Sequence, residues 1–296
     1  MKNIAVIGAG TMGNGIAHVF AQNGFSVRLI DISQKALDKG LANISKNLDR
    51  MLAKGKTDQT LKSDTLENIT LFTSIPEGVA DTDLVVEAAS ENLKVKLDIF
   101  KELEQSCPTD TILATNTSSI SITQIAAATQ RPDKVIGMHF MNPVPIMQLV
   151  EIIRGYSTSD DTTQTVMNVS KELGKTPTQV NDYPGFVANR ILMPMINEAI
   201  ESLYHGVAGV SEIDTVMKLG MAHPMGPLQL ADFIGLDVCL SILNVMYEGL
   251  KNPKYAPCPL LVNMVTAGKL GVKSGEGFYD YASSRKAEQV SERFLN

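Results

Sequence analysis

A glycine-rich segment directly after the first apolar run limits the fold of this chain more than any other feature. The run NIAVIGA, residues 3–9, is typical of a buried strand, and Gly8, Gly10 and Gly13 give the spacing G-x-G-x-x-G. A helix-like segment, residues 11–23, follows at once. In this context the glycines allow a tight turn, close approach of a pyrophosphate, and close helix–strand packing. The segment predicts a dinucleotide-binding fold, and a simple glycine-rich turn is the alternative.

The chain up to residue 183 alternates short apolar runs with longer helix-like segments. Strands are predicted at residues 3–9, 26–31, 69–74, 83–89, 111–117, 134–140, 147–153 and 176–181. Helices are predicted at residues 11–23, 34–54, 92–105, 121–129 and 160–173. Alternating β and α units with continuously apolar strands are typical of a doubly wound, mainly parallel sheet. The predicted fold class is therefore α/β and Rossmann-like, with a polar, basic helical hairpin projecting from the sheet near residues 51–64.

The pattern changes at Pro184, because helical patterns follow it without a strand pattern. They cover residues 186–205, 211–219, 227–233, 235–249 and 259–268. We therefore predict two domains, residues 1–183 with the dinucleotide-binding sheet and residues 184–296 with an all-helical layer. The methionine-rich stripe ILMPMINEAIESLY must bury its apolar face, either in the core of that layer or in a dimer interface. The polar tail after Tyr281 is expected to be a helical or disordered extension.

Composition narrows the class of protein. A net charge of −6 gives no reason to expect nucleic acid or an anionic membrane surface as a partner. No apolar run approaches the roughly 20 residues of a transmembrane helix, and glycine interrupts the first run too early for a signal peptide. Cys107, Cys239 and Cys258 lie far apart with no CxxC pair, which indicates a reducing compartment and neither disulfides nor a metal site. We expect a cytoplasmic protein.

Asp31 ends the second predicted strand, about 20 residues after the glycine motif, where an acidic residue binds the ribose hydroxyls of a dinucleotide. An adenosine phosphate there would meet like charge, and no arginine follows in DISQK. This favours NAD over NADP. The alternative is that Asp31 only belongs to the turn before the next helix, which Ser33 would cap.

Polar residues follow the carboxyl ends of later strands. Ser118 and Ser119 come after TILATNT, His139 ends KVIGMHF, and Asn142 begins the NPVP turn. Ligands of open α/β sheets bind outside the carboxyl ends of the strands, so these residues are expected to face the same crevice as the glycine motif. Glu151, on the next strand, comes back beside His139 if the two strands form a hairpin-like pair.

His139 and Glu151 suit a hydride transfer at a carbon that bears oxygen. That oxygen needs a proton donor or acceptor, and histidine is the commonest because its ordinary pKa is about 6.5. A carboxylate on the far ring nitrogen fixes the tautomer and stabilises the imidazolium. Without a G-x-S-x-G elbow, Ser118 is interpreted as a hydrogen-bond partner of the substrate oxygen and not as a nucleophile. The alternative is that His139 caps a strand end and Glu151 is a solvated edge residue. The other histidines are interpreted as structural: His18, His205 and His223.

Eight longer segments form a pattern that no single one of them carries: GAGTMGNGIA, ENLKVK, ATNTSSISI, HFMNPVP, VEIIRG, PGFVANRILMPMINEA, HPMGPLQLADFIGLD and KSGEGFYDY. Their order and spacing over residues 1–283 resemble the 3-hydroxyacyl-CoA dehydrogenase family, and within it the bacterial 3-hydroxybutyryl-CoA type. The resemblance implies NAD-linked interconversion of (S)-3-hydroxyacyl-CoA and 3-ketoacyl-CoA. It also implies that the helical domain, residues 184–296, binds substrate and forms a homodimer.

The resemblance implies roles for individual residues. His139 is implied as catalytic base, Glu151 as its paired carboxylate, Ser118 as contact of the substrate oxygen, and Asn189 as the active-site residue from the second domain. Contacts to the cofactor are implied for Gly8, Gly10, Thr11, Met12, Gly13, Asp31, Glu91, Lys96, Asn116, Asn142 and Lys273. Contacts to the substrate are implied for Ser118, Asn116, Asn189, Lys54 and Lys56. The two lysines are placed against the CoA phosphates. Apart from the resemblance, Glu91, Lys96 and Lys273 would be interpreted as solvated surface residues.

Two other functions stay open as alternatives. A related 3-hydroxyacid dehydrogenase acting on a free acid would use a lysine from the helix that opens the second domain, but GFVANRILMP offers Asn189 and Arg190 instead. A binding protein that kept the dinucleotide fold without catalysis would have lost His139, Glu151 or Asn189, and all three are present.

Overall fold

The computed structural model describes residues 1–295, so Asn296, the last residue of the predicted tail, lies outside the described residues. The chain divides into two compact units, residues 1–183 and the part from Pro184 onward. Each unit has its own apolar core.

An eight-stranded sheet forms the centre of the first unit. Its strands are β1 (Asn3–Ile7), β2 (Ser26–Ile30), β3 (Ile69–Phe72), β4 (Leu84–Glu87), β5 (Ile112–Thr115), β6 (Val135–Phe140), β7 (Leu149–Arg154) and β8 (Thr176–Asn181). They lie in the order β3-β2-β1-β4-β5-β6-β7-β8. Neighbours are parallel except β6 and β7, which are antiparallel. The predicted mainly parallel sheet is confirmed, and the order of its strands reverses between β1 and β4, where ligands of such sheets bind.

Seven helices accompany this sheet: α1 (Thr11–Gln22), α2 (Gln34–Ala53), α3 (Gln59–Glu67), α4 (Ile75–Val79), α5 (Leu93–Ser106), α6 (Ile122–Ala126) and α7 (Asp160–Glu172). Polar residues cap several of them, and Ser33 accepts a hydrogen bond from the amide of Ala36 at the start of α2, as predicted. The short helix α4 was not predicted, because five residues are too few to show a helical period. The predicted hairpin is formed by α2 and α3. It does not project freely, since α3 packs against α1 as well as α2 and buries Thr65.

The apolar composition of the central strands explains why they lie in the middle of the sheet. β1 and β4 are apolar almost throughout, and Ile4, Val6, Leu84 and Val86 have no exposed surface. Such strands are stable where both faces are covered. Polar side chains therefore appear mainly where these strands end, and the candidate site lies at those ends.

Up to Leu295, the second unit is mainly helical, with one short ladder and isolated β-bridges at Glu276. Its helices are α8 (Ala188–Tyr204), α9 (Val210–Thr215), α10 (Pro227–Ile234), α11 (Leu236–Leu250) and α12 (Pro259–Thr266), and α9 continues into a π-helical turn at Val216–Gly220. The methionine-rich stripe supplies core residues, since Met193, Ile196 and Ile200 are buried. They pack in one cluster with Leu243 and Phe278.

The tail after Tyr281 folds back onto this unit, so the prediction of a helical or disordered extension was wrong. β9 (Tyr279–Asp280) pairs with the antiparallel β10 (Gln289–Val290). The amide of Ser291 donates to the carbonyl of Phe278 at 3.0 Å, and the ring of Phe294 lies 5.8 Å from that of Phe278. Strands of two residues leave no alternating pattern in a sequence, which is why this ladder was missed.

Within residues 1–295, no single helix has both the length and the apolar character needed to cross a membrane. α10 and α11 meet that test only when taken together, and they bend by 96° at their junction.

Candidate active site

The register of β6 and β7 places His139 directly opposite Glu151. Residues opposite each other in an antiparallel pair point to the same face of the sheet, so their side chains can meet. Nδ1 of His139 lies 2.9 Å from Oε2 of Glu151, and both residues are buried, with 6% and 3% of their surface exposed. The predicted hairpin-like pairing is confirmed. A carboxylate at Nδ1 keeps the proton on that nitrogen and leaves Nε2 as the acceptor.

Ser118 extends this pair into a chain of three groups. It lies just beyond the end of β5, is half-buried, and places Oγ 3.0 Å from Nε2 of His139. Because Nδ1 is protonated towards Glu151, the hydroxyl of Ser118 donates to Nε2. The arrangement can take a proton from a hydroxyl group at Nε2 and return it, while Glu151 stabilises the imidazolium that forms.

Glu91 holds the segment that carries Ser118. Its Oε1 accepts hydrogen bonds from the amides of Ser118 at 2.9 Å and Ser119 at 3.1 Å, and from the hydroxyl of Thr117 at 2.6 Å. Asn116 ties the same segment to β6, since its Oδ1 accepts from the amide of Phe140 at 2.8 Å. Side chains that were predicted as cofactor contacts therefore also fix the turn after β5.

Lys96 joins Glu91 to a carboxylate that the sequence reasoning missed. Its ammonium group donates to both carboxylate oxygens of Glu87, at 2.9 and 3.0 Å, and lies 3.4 Å from Oε2 of Glu91. Lys96 has 1% of its surface exposed and Glu87 none, so the interpretation of Lys96 as a solvated surface residue is wrong. One signal for Glu87 was present, since it is an acid within the apolar stretch LVVEAA, as Glu151 interrupts its own apolar strand.

The glycine motif forms the tight turn that was predicted for it. Gly8 has a φ of +96°, and a Cβ there would lie 2.7 Å from the carbonyl oxygen of Ala88. A Cβ on Gly13 would lie 1.7 Å from the carbonyl oxygen of Gly8, so only glycine lets α1 approach so closely. A Cβ on Gly10 would meet no atom within 4 Å, which leaves open space at the start of α1. That space suits a phosphate at the positive end of the helix dipole.

Asp31 connects this turn to the end of β2. Its carboxylate accepts a hydrogen bond from the amide of Ala9 at 2.9 Å and another from the amide of Ser33 at 3.0 Å. Asp31 thus belongs to the turn before α2 and also braces the glycine motif. Asp31 also lines a cavity beside the glycine motif.

A cavity of about 960 Å³ opens beside the glycine motif. Its lining includes Gly8, Gly10, Thr11, Met12, Asp31, Ala88, Ser90 and Val95. Its size is within the range of small-molecule and cofactor sites. The open space over Gly10, the start of α1 and the acid at the end of β2 fit the pyrophosphate and ribose of a dinucleotide.

The other predicted site residues lie on α8 or in turns and loops of the two units. Asn142 is exposed at the start of the NPVP turn and lines a second cavity, of about 280 Å³, together with Thr11. Lys54 and Lys56 are exposed just beyond the end of α2. In the second unit, Asn189 is buried in the first turn of α8, and Lys273 is half-exposed and forms an ion pair with Asp237.

Comparison with known proteins identifies the family. The model named "3-hydroxyacyl-CoA dehydrogenase, NAD binding domain" matches residues 3–183, and the model of the C-terminal domain of the same family matches residues 185–281. The chain belongs to the 3-hydroxyacyl-CoA dehydrogenase family. It is an NAD-dependent oxidoreductase, and the resemblance seen in the sequence is confirmed.

Relatives in this family match over nearly their full length. A "Probable 3-hydroxybutyryl-CoA dehydrogenase" of Bacillus subtilis is 54% identical over 281 residues, covering 95% of this chain and 98% of that protein. The mitochondrial hydroxyacyl-coenzyme A dehydrogenase of Homo sapiens is 45% identical over 288 residues, or 95% of this chain and 91% of that protein. The crystal structure of (S)-3-hydroxybutyryl-CoA dehydrogenase from Ralstonia eutropha has a TM-score of 0.92 and 50% identity, with 95% and 99% of the two chains covered.

Proposed function

We propose that this member of the family interconverts (S)-3-hydroxyacyl-CoA and 3-ketoacyl-CoA, with the four-carbon pair 3-hydroxybutyryl-CoA and acetoacetyl-CoA as favoured substrates. The observation that carries the proposal is the chain Glu151–His139–Ser118, with distances of 2.9 and 3.0 Å. It lies at the carboxyl ends of strands in a sheet whose glycine motif fits a dinucleotide. The activities for which the relatives are named support the choice of substrate.

The residues of the chain divide the chemistry between them. Nε2 of His139 accepts the proton of the 3-hydroxyl group in oxidation and returns it in reduction. When substrate is bound, Ser118 turns its one hydroxyl proton from Nε2 to the same oxygen, and Glu151 stabilises the protonated imidazole. NAD, when bound, supplies the hydride acceptor. Gly8, Gly10, Thr11, Met12, Gly13 and Asp31 hold its phosphates and ribose, and Glu91, Lys96, Asn116, Asn142 and Lys273 complete its site.

Residues outside this chain serve substrate binding. Asn189 contributes an amide to the thioester substrate from the second unit, and Lys54 and Lys56 attract the CoA phosphates. The exposure of both lysines supports this role, because a phosphate group must reach them.

The second unit also supports a homodimer. Large apolar side chains are exposed on it, among them Ile191, Val207 and Leu219, and Leu219 has 81% of its surface exposed. Apolar surface of this kind is typical of an interface between subunits. We also propose a cytoplasmic location, because the three cysteines are buried and unpaired.

The test is the oxidation of NADH with acetoacetyl-CoA, run beside NADPH and beside free acetoacetate. Rapid turnover of the thioester with NADH, and little with the other two, is expected. Turnover of free acetoacetate at a comparable rate would instead support an enzyme for free 3-hydroxyacids. Tight binding of NADH without turnover of acetoacetyl-CoA, or of longer 3-ketoacyl-CoA esters, would contradict the proposal.

A further inference from the structure

We propose that Glu87, a buried carboxylate outside the acid–base chain, is a positioning residue that acts through Lys96 and Glu91 to hold Ser118 against His139. This inference rests on the proposed function, because it assigns Glu87 a part in the same proton transfer. It differs from the role that the resemblance implies for Lys96, which is a direct contact to the cofactor.

Each carboxylate oxygen of Glu87 accepts two hydrogen bonds. Oε1 accepts hydrogen bonds from the amide of Ala89 at 2.7 Å and from Lys96 at 2.9 Å. Oε2 accepts from Lys96 at 3.0 Å and from the hydroxyl of Thr115 at 2.7 Å. Four hydrogen bonds to one carboxylate fix its orientation at the end of β4. Glu87 is therefore the rigid end of the network, anchored on two adjacent parallel strands, β4 and β5.

Lys96 transmits this position to Glu91. An ammonium group carries three N–H donors, and three carboxylate oxygens lie within 3.4 Å of Nζ: both oxygens of Glu87 and Oε2 of Glu91. The second oxygen of Glu91 receives the amides of Ser118 and Ser119. The carboxylate of Glu91 thus lies between one buried cation and the turn that carries the serine. A displacement of the Lys96 ammonium group would therefore displace Glu91 and the turn that carries Ser118.

Charge explains why Glu87 is required in this arrangement. With Glu87 present, the charge of Lys96 is balanced by a carboxylate that is fixed at the end of β4. The Oε1 atom of Glu91 can then accept hydrogen bonds from the amides of the turn. Without that carboxylate, the buried ammonium group would lack its main partner, which is strongly unfavourable. It would then draw Glu91 towards itself and away from the amide of Ser118. The expected consequence is a displaced Ser118 hydroxyl and a poorer hydrogen bond to Nε2 of His139.

Three variants separate this role from a purely structural one: Glu87→Gln, Lys96→Met, and the double variant Glu87→Gln/Lys96→Met. The control is Glu67→Gln, at an exposed position at the end of α3. For each we would measure kcat and KM with acetoacetyl-CoA, the Kd of NADH, the thermal midpoint, and the isotope effect on kcat with NADH deuterated at the transferred position.

Glu87→Gln is expected to lower kcat by about tenfold or more, because small misplacements of a reacting group are costly, while the Kd of NADH changes little. Its isotope effect should rise, since the chemical step becomes slower than product release. The double variant should show no better kcat than Glu87→Gln, because it also lacks the ammonium group through which Glu87 acts on Glu91. The control should match the wild type in every measurement.

Thr115→Val keeps every charge and removes the hydroxyl that donates to Glu87 and accepts from the amide of Thr117 at 3.2 Å, so it provides the test if Glu87→Gln does not fold. It should lower kcat without raising the Kd of NADH. Wild-type kcat and isotope effect in the folded Glu87→Gln or Thr115→Val enzyme would overturn the inference. So would a Lys96→Met enzyme that loses only NADH affinity. A wild-type enzyme that does not turn over acetoacetyl-CoA would contradict the proposed function instead.

Discussion

His139 and Glu151 face each other across two antiparallel strands, with Nδ1 of the histidine 2.9 Å from Oε2 of the glutamate. The backbone register sets this distance, because opposite residues of a sheet must point to the same face. The pair is therefore held in place by the whole β6–β7 ladder and not by a flexible loop. Both side chains are buried, so water does little to screen the interaction between the carboxylate and the imidazole.

Replacement of Glu151 by glutamine should lower kcat by about 10²- to 10⁴-fold, because an amide neither fixes the tautomer reliably nor stabilises an imidazolium. The measurement is turnover of acetoacetyl-CoA at saturating NADH. Glu172→Gln, at an exposed position at the end of α7, is the matched control. Equal turnover in both variants would remove the carboxylate from the chemistry.

Gly10 and Gly13 should respond differently to alanine. A Cβ on Gly10 would meet no atom of the protein within 4 Å, so Gly10→Ala should fold normally. The added methyl group should weaken NADH binding by about tenfold or more, because it occupies the space that the pyrophosphate approaches. A Cβ on Gly13 would collide with the carbonyl oxygen of Gly8, so Gly13→Ala should also lower the free energy of unfolding, by about 1–3 kcal/mol. Urea unfolding and NADH titration separate the two effects. The same loss of stability in both variants would contradict this account of the turn.

Asp31→Ser tests the basis of cofactor choice. Removal of the carboxylate should lower kcat/KM for NADH and raise it for NADPH, because the adenosine phosphate no longer meets like charge. The variant also loses the hydrogen bonds from Ala9 and Ser33, so its thermal midpoint should fall. An unchanged ratio of the two kcat/KM values would show that the preference has another origin.

Burial of His18 in α1 lowers its pKa from 6.5 to about 4. The folded protein therefore binds this proton less readily than the unfolded chain, and stability that is present above pH 6.5 is lost as the pH falls towards 4. The loss from this one group is about 3 kcal/mol. His18→Leu should show a shallower fall in urea midpoint between neutral pH and acid, and the exposed His205→Gln should behave as wild type. Parallel profiles for His18→Leu and wild type would contradict the prediction.

Apolar runs predicted most strands of the first unit, because short runs of this kind are typical of strands buried in a parallel sheet, whereas β8 (TPTQVN) is mostly polar. The sequence also predicted that polar residues at strand ends would meet, since parallel strands end at one edge of a sheet. The register of β6 against β7 could not be predicted, because the NPVP turn between them does not by itself fix which residues stand opposite each other. Only the structure shows that His139 faces Glu151.

Elements without a pattern were missed. α4 and the β9–β10 ladder are too short for a periodic pattern of apolar residues to repeat within them. Glu87 was missed for another reason, since an acid at the end of an apolar strand has no recognised spacing to Lys96. The pair of Glu87 and Lys96 depends on how α5 packs against the end of β4, which the spacing of nine residues does not show.

The most direct test of the account is turnover by His139→Gln, since the proposed proton transfer passes through this imidazole. We would measure kcat with acetoacetyl-CoA and NADH, together with the Kd of NADH, in the wild type and in the variant. The account predicts that kcat falls by about 10³-fold or more while NADH binds as before. Turnover close to that of the wild type would contradict it, because another group would then be moving the proton.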